Sequence, residues 1–199
     1  MANYLARIAL GVLLTAGSLA AEPVKPATPA ASGATKYTQA NSGSSLAFTF
    51  SQLGAENTGR FKTFATELTY DEANPAQGSL LVRVMIDSID TQDGERDGTL
   101  KGADLFDAKA YPAATFVAKS LARSAGGLEA VGKLTIRGVA RDLRLPLTLT
   151  PTANGLELSG QVSIKRLDYG VGQGEWKSTE SVGDDVKVQY KVALVRVAK

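Results

Sequence analysis

Hydrophobic residues alternate with polar ones along much of this chain, and this period of two is the strongest constraint on its fold. From Leu143 to Leu149 every second residue is leucine, and residues such as Arg144 stand between the leucines. Because successive side chains of a strand point to opposite faces, each such run predicts a strand with one buried face. The alternating runs are Leu46–Phe50, Leu80–Ile86, Leu134–Ile136, Leu143–Leu149, Leu156–Ile164 and Val186–Leu194.

Turn-forming residues separate these runs. Asn74-Pro75, Gly126-Gly127 and Asn154-Gly155 each fix or permit a turn conformation, and Asn154-Gly155, between two alternating runs, is the strongest hairpin signal. Six to eight antiparallel strands with short turns indicate a sandwich or an up-and-down barrel. We favour the barrel, because closure removes the exposed edges of so many hairpin-linked strands. The predicted fold class is therefore all-β, with about eight strands.

The first 35 residues are predicted to lie outside this domain. Arg7 precedes the apolar run Ile8–Ala20, and small residues end that run, which is the pattern of a signal peptide over residues 1–20. The run is shorter than the ~20 apolar residues that a membrane-spanning helix needs, so we expect no membrane span after cleavage. Residues 21–35 are rich in proline and alanine and indicate an extended linker. A periplasmic or secreted domain is predicted over residues 36–199.

Two missing residue types exclude much catalytic and metal chemistry. Among its 199 residues the chain has no cysteine and no histidine. Disulfides, thiolate metal sites, cysteine nucleophiles and every Ser-His-Asp arrangement are therefore excluded, and we expect no cofactor. The 22 Lys and Arg residues nearly balance the 20 Asp and Glu residues, for a net charge of +2. This balance gives no electrostatic indication of nucleic-acid binding.

One polar segment, Asp90–Tyr111, interrupts the alternating pattern. Its apolar residues Leu100, Leu105 and Phe106 are candidates to anchor a short helix or coil against the barrel, although its glycines disfavour a helix. Such excursions often carry function. The surrounding acidic cluster consists of Asp87, Asp90, Asp93, Glu95, Asp97, Asp104 and Asp107.

The acidic cluster allows several interpretations. Carboxylates are suitable ligands for calcium or magnesium, but their spacing does not match the EF-hand loop, so a solvated surface is favoured. Paired carboxylates also serve as acid and base in glycosidases, although any acidic surface offers such pairs by chance. The glycine-rich stretch Gly170–Gly174 lacks the G-x-G-x-x-G pattern and a following helix, so we expect a strand bend or bulge there rather than a phosphate site.

Several motifs, in the same order along the chain, resemble those of the YceI-like family. Gly59-Arg60-Phe61 with Phe64 is similar to its opening motif, and Gly132–Val139 is similar to its Gly-x-Leu-Thr-x-x-Gly-Val hairpin. Tyr169–Trp176 resembles its C-terminal block. The most specific part of the resemblance is carried by Ser88, Thr91, Glu95, Arg96, Asp97, Leu100, Asp104, Phe106, Asp107, Tyr111, Pro112 and Phe116. Together the motifs cover nearly all of Lys36–Val197.

The resemblance implies an extended, lipocalin-like antiparallel β-barrel whose apolar pore holds a polyisoprenoid chain or a similar lipid. Members are typically exported, and no cofactor chemistry is expected. Many members carry histidine near the first strand and in the Glu-Arg-Asp block. Here Gln52 lies just beyond the first strand and Thr99 lies next to Leu100, so any role of those histidines does not transfer.

We therefore predict a non-catalytic carrier of an isoprenoid-type lipid, such as a polyprenyl chain or an isoprenoid quinone. The residues expected to line or close the pore are Phe48, Phe50, Phe61, Val82, Val84, Phe116, Leu134, Ile136 and Trp176. Arg96 and Asp97 are expected to fix the Asp90–Tyr111 excursion at the mouth, with contact to a lipid head group as the alternative. Two other functions stay open: a stress-related interaction protein with a filled barrel, and a carboxylate-dependent hydrolase. A homodimer is also left open.

Overall fold

The computed structural model describes residues 33–198, so the predicted signal peptide and most of the predicted linker lie outside the described residues. The strands are β1 (Thr35–Gln39), β2 (Ser45–Gln52), β3 (Ala55–Phe61), β4 (Phe64–Tyr70), β5 (Ser79–Met85), β6 (Ile89–Asp90), β7 (Ala113–Ser124), β8 (Gly127–Ile136), β9 (Val139–Thr152), β10 (Gly155–Lys165) and β11 (Val182–Arg196). The α-helix in this part of the chain is α1 (Gly94–Lys101), and 3-10 turns occupy Pro75–Gln77, Ile86–Ser88, Arg166–Tyr169 and Gly174–Lys177. The first strand begins one residue before the predicted domain start.

The strands form a closed antiparallel barrel of eight strand paths, where a path is either one long strand or two shorter strands that follow one another along the barrel wall. The ring runs β1-β4-β5-β7-β8-β9-β10-β11, and it closes where β1 pairs with β11. The other three strands extend paths already in the ring: β2 pairs with β11 beyond β1, β3 pairs with β2, and β6 pairs with β3. Each path pairs with its sequence neighbour, as in an up-and-down barrel. This arrangement confirms the predicted fold class.

The alternating runs place their apolar side chains inside the barrel. Five of the six runs lie within strands, and in the sixth only Ile86 passes into a 3-10 turn. At one end of the barrel the interior is packed solid, and Leu68, Leu80, Leu121 and Leu194 are each at most 2% exposed. Each buried CH₂ group of such side chains contributes ~0.8 kcal/mol, so this end, the base, supplies much of the stability.

The predicted Asn154-Gly155 hairpin is present, but its glycine has a different role from the one expected. The two turn residues are Ala153 and Asn154, because Gly155 already pairs with Thr152 as the first residue of β10. A Cβ at Gly155 would collide with the carbonyl of Leu194 on β11. Gly155 is therefore required for the close approach of two strands rather than for an unusual backbone angle.

The Asp90–Tyr111 excursion forms α1 and a coil across the other end of the barrel, the mouth. Asp93 caps the helix, and its carboxylate accepts hydrogen bonds from the amides of Glu95 and Arg96 at 3.1 and 3.0 Å. Such a cap satisfies amides that have no partner within the helix, and it offsets the cost of the helical glycines Gly94 and Gly98.

The barrel wall has a seam between β9 and β10, where the ladder stops halfway. Within the described chain these strands pair over Thr148–Thr152 and Gly155–Ser159, whereas β8–β9 and β10–β11 are paired along almost their full length. Pro146 lies at the point of separation and has no amide hydrogen to donate. Its carbonyl instead accepts a hydrogen bond from the hydroxyl of Tyr190, which reaches across Gly160 from β11.

Candidate ligand cavity

Two adjoining cavities occupy the upper half of the barrel. The inner cavity has a volume of about 160 Å³ and lies directly above the solid base, lined by inward side chains such as Leu80, Val82 and Leu158. The outer cavity has a volume of about 300 Å³ and lies at the mouth, beside α1. Both cavities share the lining residues Phe48, Phe106, Ile136, Ile164 and Val186. One largely apolar space therefore runs from the mouth toward the base.

Three phenylalanines form the boundary between the two cavities. The ring centroids of Phe48 and Phe61 lie 5.3 Å apart, and those of Phe61 and Phe106 lie 6.2 Å apart with the rings nearly perpendicular. These are the separations that aromatic pairs prefer. Gly59 pairs with Phe48 across β2 and β3, and a Cβ at this position would collide with the Phe48 ring. The absence of a side chain at Gly59 therefore lets the ring lie flat over its own sheet.

One buried arginine holds the loop that covers the mouth. Arg166 is 5% exposed, and burial lowers the pKa of its guanidinium group. Its five N–H groups donate to the backbone carbonyls of Val171, Trp176, Ser178, Val182 and Gly183, at 2.7–3.1 Å. All the donors of this side chain are thus satisfied, and the loop that it organises carries Tyr169, Val171 and Trp176 into the lining of the outer cavity.

Glycines let this loop pack closely around the arginine. Gly170, Gly172 and Gly174 all have positive φ angles, and a Cβ at Gly172 would collide with the Arg166 guanidinium. The stretch joins two 3-10 turns, the second of which begins at Gly174, and no part of it lies within a strand. The expected strand bend or bulge at Gly170–Gly174 is therefore wrong, because the glycines serve a loop that wraps a buried side chain.

Acidic residues at the mouth stabilise the start of α1. Asp97 accepts hydrogen bonds from the amide and the hydroxyl of Thr91, at 2.8 and 2.7 Å. Arg96 lines the outer cavity, and its guanidinium lies 3.6 Å from the carboxylate of Asp93. Within residues 33–198, no three acidic side chains lie close enough together to hold a metal ion.

Ten of the eleven predicted site residues line one of the cavities. Those of the outer cavity are Phe48, Phe50, Arg96, Ile136 and Trp176. Those of the inner cavity are Phe48, Phe61, Val82, Val84, Phe116, Leu134 and Ile136. Asp97 lines neither cavity, because its carboxylate faces Thr91 in the excursion.

The predicted site residues did not include four residues that also shape the site: Thr66, Arg166, Tyr169 and Tyr190. Alternation could have found Tyr190, since it stands on the inner face of the β11 run. Arg166 follows an alternating run in a polar stretch, and nothing in the local sequence distinguishes a buried arginine from an exposed one. Thr66 lies in β4, a strand in which threonine and glutamate obscure the alternation.

At the seam, the cavity lining is continuous with the outer surface. Leu143 and Ile164 line the inner cavity and also a groove on the outside of the barrel, beside Arg141 and Lys165. The guanidinium Nε of Arg141 spans this groove and donates to the carbonyl of Asp168 at 3.1 Å. Leu143 and Ile164 thus border both the cavity and the outer groove along this line.

No helix among residues 33–198 has the length and apolar character needed to cross a membrane.

Comparison with known proteins agrees with this architecture. The model of the YceI-like domain family matches residues 37–194. Protein YceI of Escherichia coli is 33% identical over 115 residues, which are 54% of this chain and 60% of that protein. The chain thus spans about 60% of the length of the curated relatives it matches.

Solved structures show the same barrel. BcnA from Burkholderia cenocepacia is 36% identical, and the match covers 75% of this chain and 94% of BcnA with a TM-score of 0.71. A polyisoprenoid binding domain from Saccharophagus degradans is 17% identical, with 81% of this chain and 98% of that domain covered and a TM-score of 0.67. At that identity, the second likeness concerns the fold alone.

Proposed function

Because this chain belongs to the YceI-like domain family, we propose that it binds an isoprenoid-type lipid inside its barrel, without catalysing a reaction. The observation that carries the proposal is the apolar space that extends from the mouth to the base. Each CH₂ group moved from water into such a space is worth ~0.8 kcal/mol, so a branched prenyl chain binds well without any charged contact. The proposed location is the periplasm, where a lipid needs a carrier to cross water.

The name of the Saccharophagus degradans domain describes polyisoprenoid binding, and the barrel of this chain has the same fold. The choice of an isoprenoid over a straight acyl chain rests on that likeness and on the family. The apolar character of the ligand rests on the cavity lining itself, which is a separate line of support. Both a polyprenyl chain and an isoprenoid quinone fit such a lining.

The two alternative functions receive less support from the described residues. An interaction protein with a filled barrel requires a solid interior, whereas here only the base is solid and the upper half contains the cavities. A carboxylate-dependent hydrolase requires two acidic groups facing one substrate. Asp93 and Glu95 line the outer cavity, but the Asp93 carboxylate accepts hydrogen bonds from the amides that begin α1. Asp97 lines neither cavity, and its carboxylate is occupied by Thr91.

The proposal is tested by placing a charge inside the cavity. Val84 on β5 lines the inner cavity, so Val84→Asp puts a carboxylate where burial without a partner is costly. We expect uptake of a short-tailed prenylquinone, measured by native mass spectrometry, to fall at least tenfold. The matched control is Val117→Asp, since Val117 is 43% exposed on the outer face of the barrel and its change should leave uptake intact.

A second variant covers the case in which Val84→Asp does not fold. Ala114 is buried and lines the inner cavity, so Ala114→Phe fills the empty volume with apolar atoms. We expect a folded protein with at least tenfold weaker uptake. If the quinone bound equally well to folded Ala114→Phe and to the unmodified protein, the barrel interior would not be its binding site.

A further inference from the structure

One polar group inside the barrel has no partner. Thr66 is 1% exposed and lines the inner cavity, and its hydroxyl oxygen makes no hydrogen bond to any described residue. It stands on β4 between the inward residues Phe64 and Leu68, directly above the base. A buried hydroxyl without a partner costs about 1–3 kcal/mol, so its presence here calls for a group that satisfies it.

Water is a poor candidate for that group. A buried water molecule needs two to four polar partners. The other hydroxyls in the lining belong to Thr115 and Tyr190. Thr115 lies between the buried residues Ala114 and Phe116, so its side chain is on the outer face of β7. The Tyr190 hydroxyl lies at the Pro146 carbonyl of β9, and β9 is on the opposite side of the barrel from β4, which carries Thr66. Thr66 alone would have to hold a water in otherwise apolar surroundings.

We infer that the Thr66 hydroxyl binds an oxygen atom of the lipid, which enters the barrel with its polar end first. This inference rests on the proposed function. The inner cavity has no charged lining residue, so the oxygen belongs to a neutral group, namely an alcohol or a quinone carbonyl. A diphosphate head group is unsuitable, because burial of its charge would have no compensating cation. The prenyl chain then extends past Phe48 and Phe106 toward the mouth.

The test compares ligands that differ in one oxygen. Farnesol and farnesene share a prenyl chain, but only farnesol carries a hydroxyl group. Trp176 is the single tryptophan of the chain and lines the outer cavity, so its fluorescence reports binding. For Thr66→Val we expect roughly three- to tenfold weaker binding of farnesol, the value of one hydrogen bond, and unchanged binding of farnesene. Thr66→Ser keeps the hydroxyl and should keep the farnesol affinity.

Two further measurements complete the design. Farnesyl diphosphate should bind the unmodified protein at least tenfold more weakly than farnesol. Without ligand, Thr66→Val should melt at or above the temperature of the unmodified protein, because valine has a similar shape and removes an unsatisfied hydroxyl.

The possible failures are distinguishable. Equal changes for farnesol and farnesene in Thr66→Val, or tight binding of farnesyl diphosphate, would overturn the inference and leave the proposed function standing. An unmodified protein that binds neither farnesol, farnesene nor the prenylquinone would overturn both.

Discussion

At the scale of single residues, Arg166 determines the shape of the mouth. A buried guanidinium usually pairs with a carboxylate, but the hydrogen bonds of Arg166 all go to backbone carbonyls, three in the loop and two at the start of β11. Asp184 contributes by its charge nearby, and it accepts a hydrogen bond from the Leu167 amide at 3.0 Å. The planar fork of arginine can satisfy five acceptors at once, which a lysine with three donors cannot.

Replacing Arg166 should therefore destabilise the whole domain. In Arg166→Met five backbone carbonyls, which are buried or partly buried, lose their charged donor, so we expect the free energy of unfolding to fall by about 3–5 kcal/mol. Urea unfolding measures this change. The control is Arg144→Met, which removes a surface ion pair with Glu129 from a side chain that is 67% exposed, and which should cost less than about 1 kcal/mol. Similar losses in the two variants would contradict the role assigned to Arg166.

At the scale of elements, periodicity predicted the strands that have one clean apolar face. It did not identify β7, although this strand has twelve residues. Two of its inward residues are the small Ala114 and Ala118, and the outward Val117 is more hydrophobic than either. An irregularity between Ala118 and Ser120 then shifts the register, so one period does not describe the whole strand.

The site was predictable to the extent that it is apolar. The cavity residues found from the sequence lie in alternating runs or in motifs of the family, such as Val84 and Phe116. The polar residues of the site were not predictable, because the burial of Thr66 or Arg166 depends on strands that are distant in sequence. The helix α1 was disfavoured by its glycines, and its formation depends on the Asp93 cap, whose contribution outweighs a low intrinsic propensity.

The cap makes α1 sensitive to acid. Hydrogen bonds from the helix amides, first that of Arg96, hold the pKa of Asp93 below its usual value. A carboxyl group with a lower pKa in the folded state stabilises that state above the ordinary aspartate pKa of about 4, and this contribution is lost as the pH falls through the folded value. Asparagine also caps helices but does not titrate. We therefore expect thermal stability to fall less steeply below pH 4 in Asp93→Asn than in the unmodified protein.

Circular dichroism melting between pH 6 and pH 2.5 would measure this difference. Asp142→Asn is a suitable control, because Asp142 lies on the outer face of β9 in an exposed ion pair with Lys133. An equal flattening of the acid response in both variants would show that general surface charge, rather than the cap, is responsible.

At the scale of the whole molecule, the barrel divides into a solid base and a hollow upper half. The base supplies stability, and the hollow half forgoes packing contacts that a filled interior would make. A ligand that fills the cavities restores those contacts. Binding therefore adds directly to the stability of the folded state.

We expect bound lipid to raise the melting temperature. At a free prenylquinone concentration of one hundred times Kd, the stabilisation is about 2.7 kcal/mol, or roughly 5–10 °C for a domain of this size. Differential scanning fluorimetry would measure the shift. The cavity-filling variant Ala114→Phe, for which we expect at least tenfold weaker binding, should show at most about half of that shift at the same free ligand concentration. An equal shift in that variant would place the ligand outside the barrel.

The seam between β9 and β10 makes one line of the wall easier to open than the rest. Beyond Ser159 these strands can part without breaking ladder hydrogen bonds, and the side-chain bonds of Tyr190 and Arg141 are what span the gap. Amide protons of β9 and β10 that face the seam should therefore exchange with solvent through local opening. They should do so well before the amide protons that bond β10 to β11, which exchange only on global unfolding. The barrel can in this way widen beside its cavity while its base stays closed.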